Sequence, residues 1–140
     1  MLVAFAALAA AGWWFERRRR TDAPPQSHGR VPGPQQLDRA DFRRPDAAWL
    51  VVLFTSATCE SCAGLFAKAQ PLESADVSVV ECEFPRDRAL HARYEIEIAP
   101  LTVVADADGV VRASLTGAFD APELWTAVAE VRADEERQAP

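Results

Sequence analysis

The chain has 140 residues, 49% hydrophobic and 26% charged, the composition of one globular domain of ordinary size. Its net charge of -6 is unevenly spread: residues 1–45 carry 8 Lys+Arg against 4 Asp+Glu, and residues 46–140 carry 7 against 17. A later portion so acidic excludes nucleic acid as a partner, because phosphates call for a basic stripe. Three cysteines, Cys59, Cys62 and Cys82, are too few for a disulfide scaffold or a four-thiolate zinc site. Neither His28 nor His91 lies at ligand spacing from the pair, so no metal and no bound cofactor is expected. Lys68 is the only lysine and Asn is absent, a skew that with abundant Ala and Arg points to a GC-rich bacterial genome.

Residues 2–15 are uncharged and apolar, and Glu16 and four arginines at 17–20 follow at once. A cleaved signal peptide fits the length, but the basic residues lie on the wrong side of the run. A membrane anchor fits better, with Trp13 and Trp14 at the interface and the arginines retained in the cytoplasm. The run spans roughly 21 Å against a hydrocarbon core of about 30 Å, a gap that snorkelling arginines and local thinning partly close. The expected arrangement is a single-pass anchor in the lipid bilayer (1–20), a Pro-rich tether (21–36), a folded domain (37–134) and a flexible tail (135–140). This places the domain in the cytoplasm, with an extracytoplasmic domain as the alternative.

Within the domain, Asp38 is placed to cap a short helix over 39–44 that Pro45 ends. Residues 48–54, AWLVVLF, are apolar without alternation and read as a central strand buried on both faces. A turn follows, then a helix from about Cys59 with Leu65, Phe66, Ala69 and Leu72 on its apolar face, ended or kinked by Pro71. Residues 77–84 alternate as a second strand, with Val80, Cys82 and Phe84 on one side and Val79, Glu81 and Glu83 on the other. A short helix over 86–94 leads to two strands, 101–105 and 110–115, joined by Asp106-Ala107-Asp108-Gly109 as a hairpin. A last helix opens at Asp120, with Glu123 completing a capping pattern and Leu124, Trp125, Val128 and Val131 along one face. The order predicts an α/β fold: a mixed sheet with helices on both faces.

The chemistry concentrates in FTSATCESCAGLF. Cys59 falls where a strand ends and a helix begins, and free N–H groups at such a place favour a thiolate. Cys62 is one turn on, within disulfide reach, so Cys59 reads as the attacking thiol and Cys62 as the resolving one. The plainer readings are half a metal site or two packed thiols. Ala99-Pro100, entering the third strand, is a candidate cis peptide or simply a trans proline starting a strand. Gly117 either permits a close backbone approach or makes a turn. Cys82 reads as a small buried hydrophobe, and His91 as a surface residue.

From about residue 37 to 132 the chain resembles the thioredoxin family, and it looks like the membrane-tethered thioredoxin-like proteins of high-GC bacteria. The features that carry the likeness are Cys59-Glu60-Ser61-Cys62 after the central strand, YEIEIAP at fixed distance from VSVV, and the hairpin TVVADADGVV. The resemblance implies a thioredoxin-like three-layer sandwich and thiol–disulfide exchange with protein disulfides, fed by an electron donor. It implies a substrate groove shaped by Pro100 and the Ala99 backbone, with Thr58 and Gly117 beside it.

The departures are specific. The family's Trp before the pair is Thr58 here, and its Gly-Pro is Glu60-Ser61. Its buried acid falls at Leu53, and that acid's partner lysine falls at Glu81. Glu81 is therefore the candidate proton acceptor for Cys62, against a plain reading as a solvated strand-end acid. The competing function is a tethered binding module that kept the fold without efficient catalysis.

Overall fold

Eight residues in a row with no polar face can be satisfied only in the middle of a sheet, and Trp49–Ser56 (β1) takes that position. The structure, a computed structural model, describes residues 33–138. The anchor expected at 2–15 and most of the tether lie outside those residues. Among the described residues no helix is long and apolar enough to cross a membrane.

The elements that follow β1 are α1 (Leu65–Ala69), β2 (Val77–Phe84), α2 (Arg88–Arg93), β3 (Leu101–Ala105), β4 (Val111–Thr116) and α3 (Ala121–Gln138). The sheet order is β2-β1-β3-β4, with β1–β2 parallel and the other two pairings antiparallel. Alternation along β1 builds the two cores. Trp49, Val51 and Leu53 meet Leu65 and Ala69 of α1 and Leu124 and Val128 of α3. Leu50, Val52 and Phe54 meet Leu37, Phe42 and Cys82, with Leu90 and Tyr94 at the side of α2. The result is the expected mixed sheet with helices on both faces.

β2 is an edge strand, and side chains close it. Glu73 Oε2 accepts the Val79 N–H at 2.6 Å, and Arg43 donates to the Val79 carbonyl at 3.2 Å. Asp87 Oδ2 accepts the Glu83 N–H at 2.9 Å, and Arg86 donates to the Glu81 carbonyl at 3.2 Å. Charged side chains on the ladder groups of an edge keep another strand from adding there. Arg43 and Arg44 also pair with Glu73 at 2.8 and 2.6 Å. Burial works against the Glu73 carboxylate, but the Val79 N–H and the two guanidinium groups outweigh it and hold its pKa below the ordinary value.

The hairpin is organised by Asp106. Its Oδ1 accepts the N–H groups of Asp108 and Val110 at 3.0 and 2.9 Å, and its Oδ2 pairs with Arg112 at 2.6 Å. Gly109 is required twice over: its φ is +80°, and an added Cβ would stand 2.0 Å from the Leu37 carbonyl oxygen.

Several expectations change. The helix over 39–44 is only a 3-10 turn, Arg39–Asp41, capped by Asp38 through the Ala40 N–H. The end of the tether is structured: Gln36 bridges Val110, and Val111 N–H donates to the Gln35 carbonyl at 3.0 Å. The last helix continues to Gln138, through most of the stretch assigned to a tail. Trp125 leaves the apolar face of α3 and is 44% exposed, with its indole N–H donating to the Lys68 carbonyl at 3.3 Å. His91 is buried rather than on the surface. Its ring stands edge-on to Phe54 and Phe84, and its Nε2 lies 2.9 Å from the Cys82 carbonyl, which can only accept.

Candidate functional site

The site forms where β1 runs out. Ala57 N–H donates to the Phe84 carbonyl at 2.9 Å, fastening the turn after β1 to the end of β2. Cys59 N–H then donates to the Ser56 carbonyl at 3.0 Å, closing the turn. Cys59 and Cys62 are joined as a disulfide, with Cα atoms 5.3 Å apart. Cys62 is buried and Cys59 is the more exposed of the two.

The helix expected from Cys59 is cut short. Cys59 caps a single 3-10 turn, Glu60–Cys62, and Gly64 at φ +75° breaks the path before α1 begins. An L side chain is strained at that φ, so glycine suits the position. Two N–H groups here are used internally: Cys62 N–H donates to the Cys59 carbonyl at 3.1 Å, and Ala63 N–H to the Glu60 carbonyl at 3.2 Å. The dipole support expected for Cys59 is therefore that of one short turn.

The distant half of the site arrives from the entrance to β3. Ala99-Pro100 is a cis peptide, and Pro100 is buried. The Ala99 carbonyl oxygen lies 3.9 Å from Cys59 Sγ. Gly117 N–H donates to the Pro100 carbonyl at 2.9 Å, and Gly117 has φ +85°. Ala99 lies 40 positions beyond Cys59 in sequence, and the sheet brings the Ala99-Pro100-Gly117 loops to the pair. Thr58 is exposed, with its hydroxyl 3.2 Å from that of Ser56.

Glu81 stands on β2, next to the central strand. It pairs in register with Leu53 on β1, and its Oε1 accepts a hydrogen bond from Thr55 Oγ1 at 3.0 Å. The carboxylate is partly buried, and that hydrogen bond goes to Thr55, not to either cysteine. Cys82 is buried and free, as its alternation with Val80 predicts. Burial, reinforced by the charge of Asp87, pushes its thiol up to about 12.

Three further residues have settings that the sequence reading did not assign to them. Ser61 Oγ lies 3.2 Å from Cys59 Sγ. Phe84 and Ile98 are 43% and 51% exposed, one on the strand end that holds the turn and one immediately before Ala99. Their apolar character against an exposed setting is visible only once the fold shows which face each occupies.

No family model matches the sequence, and no curated protein matches it. Solved structures do. StoA from Bacillus subtilis superposes with a TM-score of 0.52 at 12% identity, covering 59% of this chain and 84% of that one. Mitochondrial thioredoxin 3 from Saccharomyces cerevisiae, in its oxidised form, gives 0.51 at 22% identity over 61% and 81%. Chloroplastic thioredoxin z gives 0.54 at 20% identity over 63% and 80%. At these identities the likeness is one of fold, and the fold is thioredoxin-like.

Proposed function

We propose that this protein is a thiol–disulfide oxidoreductase acting on protein disulfides. The observation that carries the reading is the Cys59–Cys62 disulfide, with the more exposed sulfur beside the Ala99-Pro100 loop. In the reduced state the Cys59 thiolate attacks one sulfur of a substrate disulfide. A mixed disulfide forms and the other substrate sulfur leaves as thiolate. Deprotonated Cys62 then attacks Cys59 Sγ, releasing the second substrate thiolate and restoring the pair as a disulfide. Two electrons pass from the pair to the substrate, and a dithiol donor returns them by the same exchange in reverse. The pair is itself the electron carrier, so the step balances with no other cofactor.

The surface proposed for substrate is Thr58, Ala99 and Gly117 around the buried Pro100, extended by the exposed side chains of Phe84 and Ile98. Glu81 is the proposed acceptor of the Cys62 proton. Supporting this, it lies on the sheet face that packs under α1, with its carboxylate oriented by Thr55. Titrating Cys62 in Glu81→Gln checks the assignment: an unchanged titration removes Glu81 from the mechanism. The chain is proposed to be tethered to a membrane through residues 2–15, with the domain in the cytoplasm and reduction as its direction. Labelling intact cells with a membrane-impermeant thiol reagent tests the placement, and prompt modification of Cys59 would reverse it. The function itself is tested by insulin reduction with the full chain: activity in the wild type that Cys59→Ser abolishes is expected, and equal rates would refute it.

A further inference from the structure

Cys59 Sγ stands between two unlike oxygens. On one side is the Ala99 carbonyl at 3.9 Å, which can only accept. On the other is the Ser61 hydroxyl at 3.2 Å, which can donate. A disulfide sulfur carries no hydrogen, so in the oxidised protein the proton between Ser61 and Cys59 belongs to Ser61. After reduction the two neighbours favour opposite protonation states. A thiol S–H finds its acceptor at Ala99, and a thiolate finds its donor at Ser61.

We infer that Ser61 is a catalytic residue whose hydroxyl donates to the Cys59 sulfur and stabilises the attacking thiolate. The assignment rests on the proposed thiol–disulfide function and adds a residue to it. The backbone leaves room for a side chain to contribute. Cys59 N–H goes to Ser56, Cys62 N–H to Cys59 and Ala63 N–H to Glu60, and the 3-10 turn Glu60–Cys62 is too short to build the dipole of a longer helix. Hydrogen bonds to a charged acceptor are the strong ones, so one well-placed hydroxyl offsets much of what the short turn lacks. The same hydroxyl serves both halves of the cycle. Toward substrate it stabilises Cys59 as the attacking thiolate. When the donor dithiol regenerates the pair, its first thiolate attacks Cys59 Sγ and Cys62 leaves. Its second thiolate then attacks the donor sulfur of that mixed disulfide, and Cys59 departs as the thiolate that Ser61 receives.

The test follows the pH dependence of iodoacetamide alkylation at Cys59 in the full chain, read by mass spectrometry. A Cys62→Ala background leaves Cys59 and Cys82 as the only thiols, and Cys82, free and 1% exposed, is told apart from Cys59 by the peptide that carries it. Ser61→Ala is expected to raise the midpoint by about one pH unit, a roughly tenfold fall in thiolate below it. Ser61→Thr keeps the hydroxyl and should stay within about a third of a unit of Ser61. Ser61→Val matches Thr in shape without the hydroxyl and should move with Ala, which separates hydrogen bonding from any local rearrangement of the turn. An unmoved midpoint in Ala and Val, or a Thr midpoint that moves as far as theirs, overturns the inference. If the midpoint moves as stated while the wild type fails to reduce insulin, the Ser61 assignment stands and the proposed function falls.

Discussion

Cys59 and Cys82 are cysteines of one small domain in opposite surroundings. Cys59 lies at the end of a strand, partly open to solvent, with a hydroxyl donor at 3.2 Å and a disulfide partner one turn away. Cys82 lies within β2 beside Phe54, its partner in the sheet register, and is 1% exposed. Burial raises the Cys82 thiol to about 12, and no second sulfur pairs with it. The contrast is one of position. An open strand end supplies access and polar neighbours, and a strand interior supplies neither.

The comparison breaks most sharply at Cys59. Cys59→Ser should lower insulin reduction by on the order of 1,000-fold, because a hydroxyl does not replace the thiolate in exchange. Rates of the variant and the wild type at equal concentration measure it. A larger structural insult converts the buried thiol toward the exposed kind. Phe54→Ala removes a ring that is 0% exposed beside Cys82 and should cost about 3–5 kcal/mol in urea unfolding. In the same variant Cys82 should become open to alkylation under native conditions, which it resists in the wild type. Next in size, Cys82→Ala should cost roughly 1–2 kcal/mol for the lost packing while insulin reduction stays within about twofold.

The smallest effect is the acid response of the edge strand that carries Cys82. Glu73 has a folded pKa below its unfolded one, so its stabilisation is present above the ordinary carboxylate pKa and is lost as pH falls through the folded value. Glu73→Gln should therefore flatten the acid limb of the stability curve by about 1 kcal/mol and leave the alkaline limb unchanged. Urea midpoints measured from about pH 3 to about pH 9 read this directly.

Much of the fold is legible along the chain because its signals are local. The uninterrupted apolar run of β1 requires two covered faces, and it has them. The alternation in β2 places Cys82 inside, and Asp106 with Gly109 makes the hairpin turn where the residue types demand it. The helix expected at Cys59 fails for an equally physical reason. Residues 59–72 carry a helical apolar pattern, but Gly64 adopts a positive φ that periodicity does not reveal. His91 has polar sequence neighbours, which predict exposure, whereas the aromatic rings that cover it come from β1 and β2.

By itself, then, the sequence determined the order of strands and helices, the two-faced core and the cysteine pair, since propensity, alternation and spacing act over a few residues. Tertiary structure alone decided which groups surround the pair. The Ala99 carbonyl reaches Cys59 from 40 positions along the chain, and Thr55 on β1 reaches Glu81 on β2 on the diagonal of the Leu53–Glu81 pairing. Contacts of that kind depend on register and on chain reversal, which no local pattern encodes.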